Sequence, residues 1–184
     1  MPQGFSRLLP LLATLIVVGA VGTWAWIGLN SPPLSESKGI ITTPANWQRF
    51  DEGSFSFYAP KGSQIRQAQR DGLIYGDIQG PNTCLRYGVG AKAAIVADKR
   101  LHPAYTESAM VVDGRAGVVR KAVLNDFEQS TWFGDCGGPL YIGLYVPNAL
   151  PDGSGVAVEG TAPNEDVRDQ IETVFKSVRF AARK

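Results

Sequence analysis

No charged residue lies between Arg7 and Glu36, and the run Leu8 to Leu29 is almost wholly apolar. A stretch of that length and hydropathy cannot be part of the surface of a water-soluble domain. As a helix it is long enough to cross a hydrocarbon core of about 30 Å. Trp24 and Trp26 sit near its far end, where indole rings suit the membrane interface. Arg7 and the amino terminus flank the near end, so the near side is expected to be cytoplasmic. A cleaved signal peptide is the competing reading. Ala20-Val21-Gly22 and Thr23-Trp24-Ala25 each place small residues at a workable cleavage spacing. The run is nevertheless longer than a signal core of about 7–15 residues. No cysteine follows the run closely, which argues against a lipoprotein anchor. Either way residues from 31 onward are expected outside the cytoplasm: a single-pass bacterial inner-membrane protein with its domain in the periplasm, or a periplasmic or secreted one if the leader is cut.

Three parts follow from this reading: a membrane anchor or signal segment over 1–30, a flexible linker over 31–46, and a periplasmic domain over 47–184. The linker, "SPPLSESKGIITTPAN", holds three prolines and few apolar groups. The whole chain carries 18 basic and 17 acidic residues, a formal net charge of +1. That balance supplies neither the basic face of a nucleic-acid binder nor a polybasic membrane patch.

Within the domain, Gly and Pro punctuate short apolar runs, which favours strands and turns over a helical bundle. "GSFSFYAPKG" alternates Phe55, Phe57 and Ala59 with Ser54, Ser56 and Tyr58, the period of a strand. "GLIYGDIQG", "TCLRYGVG", "PLYIGLYVPNA" and "GVAVEGTA" read as further strands, the last with Val156 and Val158 on one face. "SAMVVDGRAGVVRKAVL" reads as a hairpin turning at Asp113-Gly114, a dipeptide that accepts positive φ. A short helix is expected around Ala93–Arg100. At the end, Val167, Ile171, Val174, Phe175 and Val178 recur at helical spacing, with Glu165 and Asp166 in the first turn. Asn164 or Thr161 could cap that helix. The opposite face carries Arg168, Asp169, Glu172 and Lys176. The expected class is α+β: an antiparallel β-sheet packed by a C-terminal amphipathic helix, preceded by an N-terminal transmembrane helix.

The segments "FSFYAPKG", "VVDGRAGVV" and "GVAVEGTA…IETVFKSVRF" together resemble the PsbP-like families of exported bacterial proteins, over most of residues 50–180. The resemblance implies an antiparallel sheet flanked by helices and non-enzymatic work as an assembly, accessory or binding protein. The chain departs from common bacterial members in lacking a lipobox cysteine and in having its own cysteine pair.

"FGDCGGPL", Phe133 to Leu140, matches the nucleophile loop of chymotrypsin-like proteases with Cys136 in the serine position. A thiolate nucleophile needs a histidine base within reach and an acid to orient it. The one histidine, His102, lies only some thirty residues upstream, too close in sequence for the barrel strands that separate base and nucleophile in that fold. Cys84 and Cys136 are an even count in an exported domain, and such a pair reads first as a disulfide. Closing a loop of about fifty residues contributes roughly 4 kcal/mol on a chain-entropy basis. No Cys-x-x-Cys redox motif is present.

Other candidate features are weaker. "GVGAKA", Gly88 to Ala93, fits a relaxed dinucleotide-binding pattern, but a bent glycine-bearing strand explains it as well. One histidine and two paired cysteines make no zinc ligand set, so no metal, no cofactor and no catalytic residue is expected. His102 reads as a surface-loop histidine. Asp126, Glu128 and Asp135 read as solvated loop charges. Trp132, Phe133 and Asp135, in the loop Asp126–Gly138, form the first choice for a partner-binding surface, with core packing the alternative for the two aromatics. The expected role is a non-enzymatic, membrane-tethered binding or accessory domain acting on an unknown protein or envelope partner. The alternatives are an inhibitor or immunity-type protein of the same compartment and a cysteine hydrolase using Cys136 and His102.

Overall fold

The structure is a computed structural model that describes residues 44–70, 73–80, 83–90, 93–102, 104–134 and 136–181. The predicted leader over 1–30 and most of the linker lie outside the described residues, as does Asp135. Neither described helix is long and apolar enough to cross a membrane.

The domain is α+β and antiparallel throughout. In chain order the elements are β1 (Trp47–Asp51), β2 (Phe55–Pro60), β3 (Gln64–Arg70), β4 (Leu73–Gly80), β5 (Thr83–Gly90), β6 (Thr106–Val112), β7 (Arg115–Val123), α1 (Asp126–Phe133), β8 (Leu140–Val146), β9 (Gly155–Ala162), α2 (Glu165–Ser177) and β10 (Arg179–Phe180). A seven-stranded sheet has the order β3-β4-β5-β9-β8-β7-β6, and a smaller sheet has the order β1-β2-β10. The hairpin between β6 and β7 turns at Asp113-Gly114, with φ of 49° and 73°, as its sequence predicts.

One face of the large sheet carries the main core. Val167, Ile171, Val174 and Phe175 of α2 meet Phe55 and Phe57 of β2, Leu85 and Tyr87 of β5, Ile142 and Leu144 of β8, and Val156 and Val158 of β9. Each such fully buried side chain contributes about 1.5–3 kcal/mol. Asn164 caps α2, its Oδ1 accepting from Val167 N at 3.0 Å; Thr161 does not, being buried within β9. Lys121 of β7 and Lys176 of α2 both reach the half-buried Glu172 carboxylate, each at 2.9 Å, so that the first of these pairs ties α2 to the sheet.

The opposite face is covered by two pieces that differ from expectation. No helix forms over Ala93–Arg100. Ala93, Ile95 and Ala97 are buried alternately with more accessible neighbours, so the segment lies extended on the sheet. The amide of Val96 donates to Glu159 Oε2 at 3.1 Å, which a helical turn would prevent. Conversely, Asp126–Phe133 is not a loop but α1. Asn125 Oδ1 accepts from Glu128 N at 2.9 Å, and Glu128 Oε2 accepts from Asn125 N at 3.1 Å, a reciprocal capping box. Gly134, with φ of 65°, ends the helix.

Candidate partner-binding face

The face under α1 is organised by one cross-strand row. Following the register from edge to edge, Glu107 of β6 stands opposite Arg120 of β7, Arg120 opposite Gly143 of β8, and Gly143 opposite Glu159 of β9. Glu159 stands opposite Arg86 of β5, Arg86 opposite Asp77 of β4, and Asp77 opposite Arg66 of β3. Six of the seven positions are charged, and the signs alternate wherever two charges face each other. Opposite charges on facing strands favour this register and penalise a slip.

The centre of the row is buried. Glu159 is 4% exposed. Its Oε1 accepts from Arg86 Nε at 2.9 Å and also from Arg86 Nη2. Its Oε2 accepts from Tyr141 Oη at 2.7 Å and from Val96 N at 3.1 Å. A buried carboxylate is tolerated when its lone pairs are engaged in this way. Gly143 makes room for the arrangement: a Cβ there would stand 2.3 Å from the Tyr141 hydroxyl. Burial, and then the adjoining Glu159 carboxylate, push the Tyr141 phenol well above its usual range.

Arg86 also carries α1. Its Nη1 donates to the Trp132 carbonyl at 3.0 Å, and its guanidinium lies 5.0 Å from the Phe133 ring centre. The Phe133 ring packs on Tyr141 at 6.1 Å between centres. Two residues before Arg86 on β5, Cys84 is bonded to Cys136, with Cα atoms 5.7 Å apart across 52 positions of sequence. Disulfide, guanidinium and aromatic contacts therefore fix the C-terminal end of α1 to β5. The disulfide consumes the sulfur that a thiol nucleophile would need.

His102 is not on the surface, contrary to the sequence reading; it is 2% exposed. Its Nδ1 lies 2.9 Å from the Asp98 carbonyl. Its Nε2 lies 3.3 Å from Glu128 Oε1, within ion-pair reach but off the line of a hydrogen bond. Its ring is 6.2 Å from that of Trp132. The imidazole and Glu128 thus join the covering segment to α1, so Glu128 is not a solvated loop charge either. Asp126 is exposed in the first turn of α1. Gly88 and Gly90 lie within β5 and lead into the extended segment, without the strand-to-helix turn that a dinucleotide site requires.

Trp132 and Phe133 are half-buried, and both packing and surface readings have a share in them. Their rings rest on the cluster of Ala97, Ala122, Leu124 and Tyr141. Their outer edges form one wall of a cleft of about 230 Å³, whose floor includes Asp77, Gln79 and the disulfide. Beyond the cleft, β3 and β4 leave this face of the sheet open: Arg66, Ala68, Asp77 and Gln79 are exposed and Tyr75 half-exposed. Sequence reasoning did not single out Arg66, Asp77 or Phe127, the last 79% exposed on α1. The capping box gave a signal for α1; nothing local signals the charged row, because its members are scattered from residue 66 to residue 159. At the other end of the row, Asp98, Lys99, Tyr105, Glu107 and Arg120 line a polar hollow. There Arg120 donates to Glu107 at 2.9 Å and to the Ala97 carbonyl at 3.2 Å. Among the described residues no three metal-ligating side chains converge.

Comparison with known proteins finds no matching family model and no matching curated relative.

Proposed function

We propose that this protein is a non-enzymatic binding domain that works outside the bacterial cytoplasm, tethered to the inner membrane by its N-terminal apolar segment. It engages a protein or envelope partner through the cleft bounded by Trp132, Phe133, Asp77 and Gln79. The observation that carries the reading is the bracing of that cleft: the disulfide and Arg86 join its aromatic wall to its floor. A wall held this way loses little freedom on binding, and that lowers the entropic cost of recognition. The apolar leader and the paired cysteines support an exported location. The pattern resemblance to PsbP-like families supports accessory rather than catalytic work.

A photo-crosslinking amino acid placed at Gln79 of the full chain, in native membranes, tests this. The expected result is one discrete adduct that disappears when Trp132→Ala is added, while the same probe at Asp169 on the far side gives none. Equal adducts from both positions, or none from Gln79, would sink the reading.

A further inference from the structure

The alternating row has one open end. At the β6 edge, Glu107 is engaged by the Tyr105 hydroxyl and by Arg120. At the β3 edge, Arg66 is exposed and has no ion-pair partner among the described residues, with Asp77 standing opposite it on the inner side alone. Among the described strands, β3 is hydrogen-bonded to β4 only, and its seven residues pair without a bulge or a proline. Its outer edge therefore presents a regular row of backbone groups that no described strand pairs, which is the requirement for strand addition.

We propose that β3 is a docking edge for an extended segment of a partner protein, and that this segment carries a carboxylate side chain opposite Arg66. An added strand brings its facing side chain to within about 5.5 Å of Arg66 between Cβ atoms. A carboxylate there continues the alternation that runs through the whole sheet, whereas a cation is repelled. Two positions along on the same face, the added strand meets Ala68 and, behind it, half-exposed Tyr75. The small alanine leaves the tyrosine ring open to an apolar side chain. The fitting segment thus has an acidic residue and an apolar one separated by a single position.

This docking mode uses neither Trp132 nor Phe133, so it stands or falls apart from the cleft. The test is fluorescence anisotropy of a labelled peptide, acetyl-Thr-Val-Thr-Glu-Thr-Val-Thr-amide, against the full chain in a non-ionic detergent. Three comparisons decide it: a peptide with lysine in place of glutamate, a peptide N-methylated at alternate amides, and the protein variants Arg66→Glu and Trp132→Ala. The expected result is about tenfold tighter binding of the glutamate peptide than of the lysine peptide. Arg66→Glu should invert that preference, N-methylation should abolish binding, and Trp132→Ala should change nothing. Indistinguishable or undetectable binding of the two peptides, or binding that survives N-methylation, overturns the proposal. Binding lost in Trp132→Ala but kept in Arg66→Glu overturns it too, and assigns the peptide to the cleft. Self-association of the protein alone that Arg66→Glu abolishes would make a second copy the occupant, against the proposal.

Discussion

Arg86 donates to Glu159 across β5 and β9 at 2.9 Å and, with another nitrogen, to the Trp132 carbonyl at 3.0 Å. One guanidinium thus joins the buried middle of the sheet to the helix that roofs it. Glu159 is 5% exposed in its side chain and Arg86 26%, so the pair is largely but not wholly out of water. Glu159→Gln removes the charge of the carboxylate to which that guanidinium is bonded, which costs about 3 kcal/mol. Tyr141→Phe removes one hydroxyl donor to the carboxylate and costs about 1.5 kcal/mol. Urea denaturation of both variants checks the order; equal effects would mean the charge is not what matters.

Reducing the Cys84–Cys136 bond, or replacing both cysteines by serine, should destabilise the domain by about 4 kcal/mol, given its 52-residue separation. The local effect is as informative as the global one. Amide exchange should accelerate most in α1, which relies on the bond, and least in β9, which is buried along its whole length.

Gly143→Ala should cost about 2 kcal/mol, through overpacking. The new Cβ would stand 2.3 Å from the Tyr141 hydroxyl, which is bonded to Glu159, and 3.0 Å from Ile95 Cγ2 of the covering segment. Thermal denaturation measures the loss, and an unchanged midpoint would show that Tyr141 can leave Glu159 freely.

Acid sensitivity has a local source in Glu172. Burial pushes its carboxyl up, but hydrogen bonds from Lys121 and Lys176 outweigh that and hold it below the ordinary value of 4.5. A carboxyl lowered in the folded state stabilises the fold above the unfolded value. That contribution is lost as pH falls below 4.5 and through the folded value. Glu172→Gln should therefore be less stable than the parent at neutral pH. The gap should close in acid, as the parent's own carboxylate takes up a proton. Stability curves against pH for the two proteins check the sign.

The parts of the fold that were legible in sequence are those decided locally. Asp113-Gly114 accepts the backbone angles of its turn, and the spacing of Val167, Ile171, Val174 and Phe175 marks the buried stripe of α2. The cysteine pairing was legible from the even number of cysteines behind an apolar leader. Where tertiary contacts decide, local reading failed. The extended course of 93–97 depends on Glu159 capturing the Val96 amide from 63 positions away. Strand β3, an edge strand, buries too little to show an apolar alternation: Gln64 and the run from Arg66 to Gln69 are exposed, with Ile65 only half-buried. His102 could be placed inside only once Asp98 and Glu128 were seen to supply polar neighbours. Trp132 and Phe133 stand at the end of a capped helix, a setting that went unread although Asn125 and Glu128 carry the capping pattern.

The Cys84–Cys136 bond braces α1 against the sheet, so neither sulfur is free to attack a substrate. The sharpest check is to count free thiols in the full chain, isolated from the cells that make it without reductant and then denatured. None is expected; two reactive thiols per chain would mean that the brace is not formed.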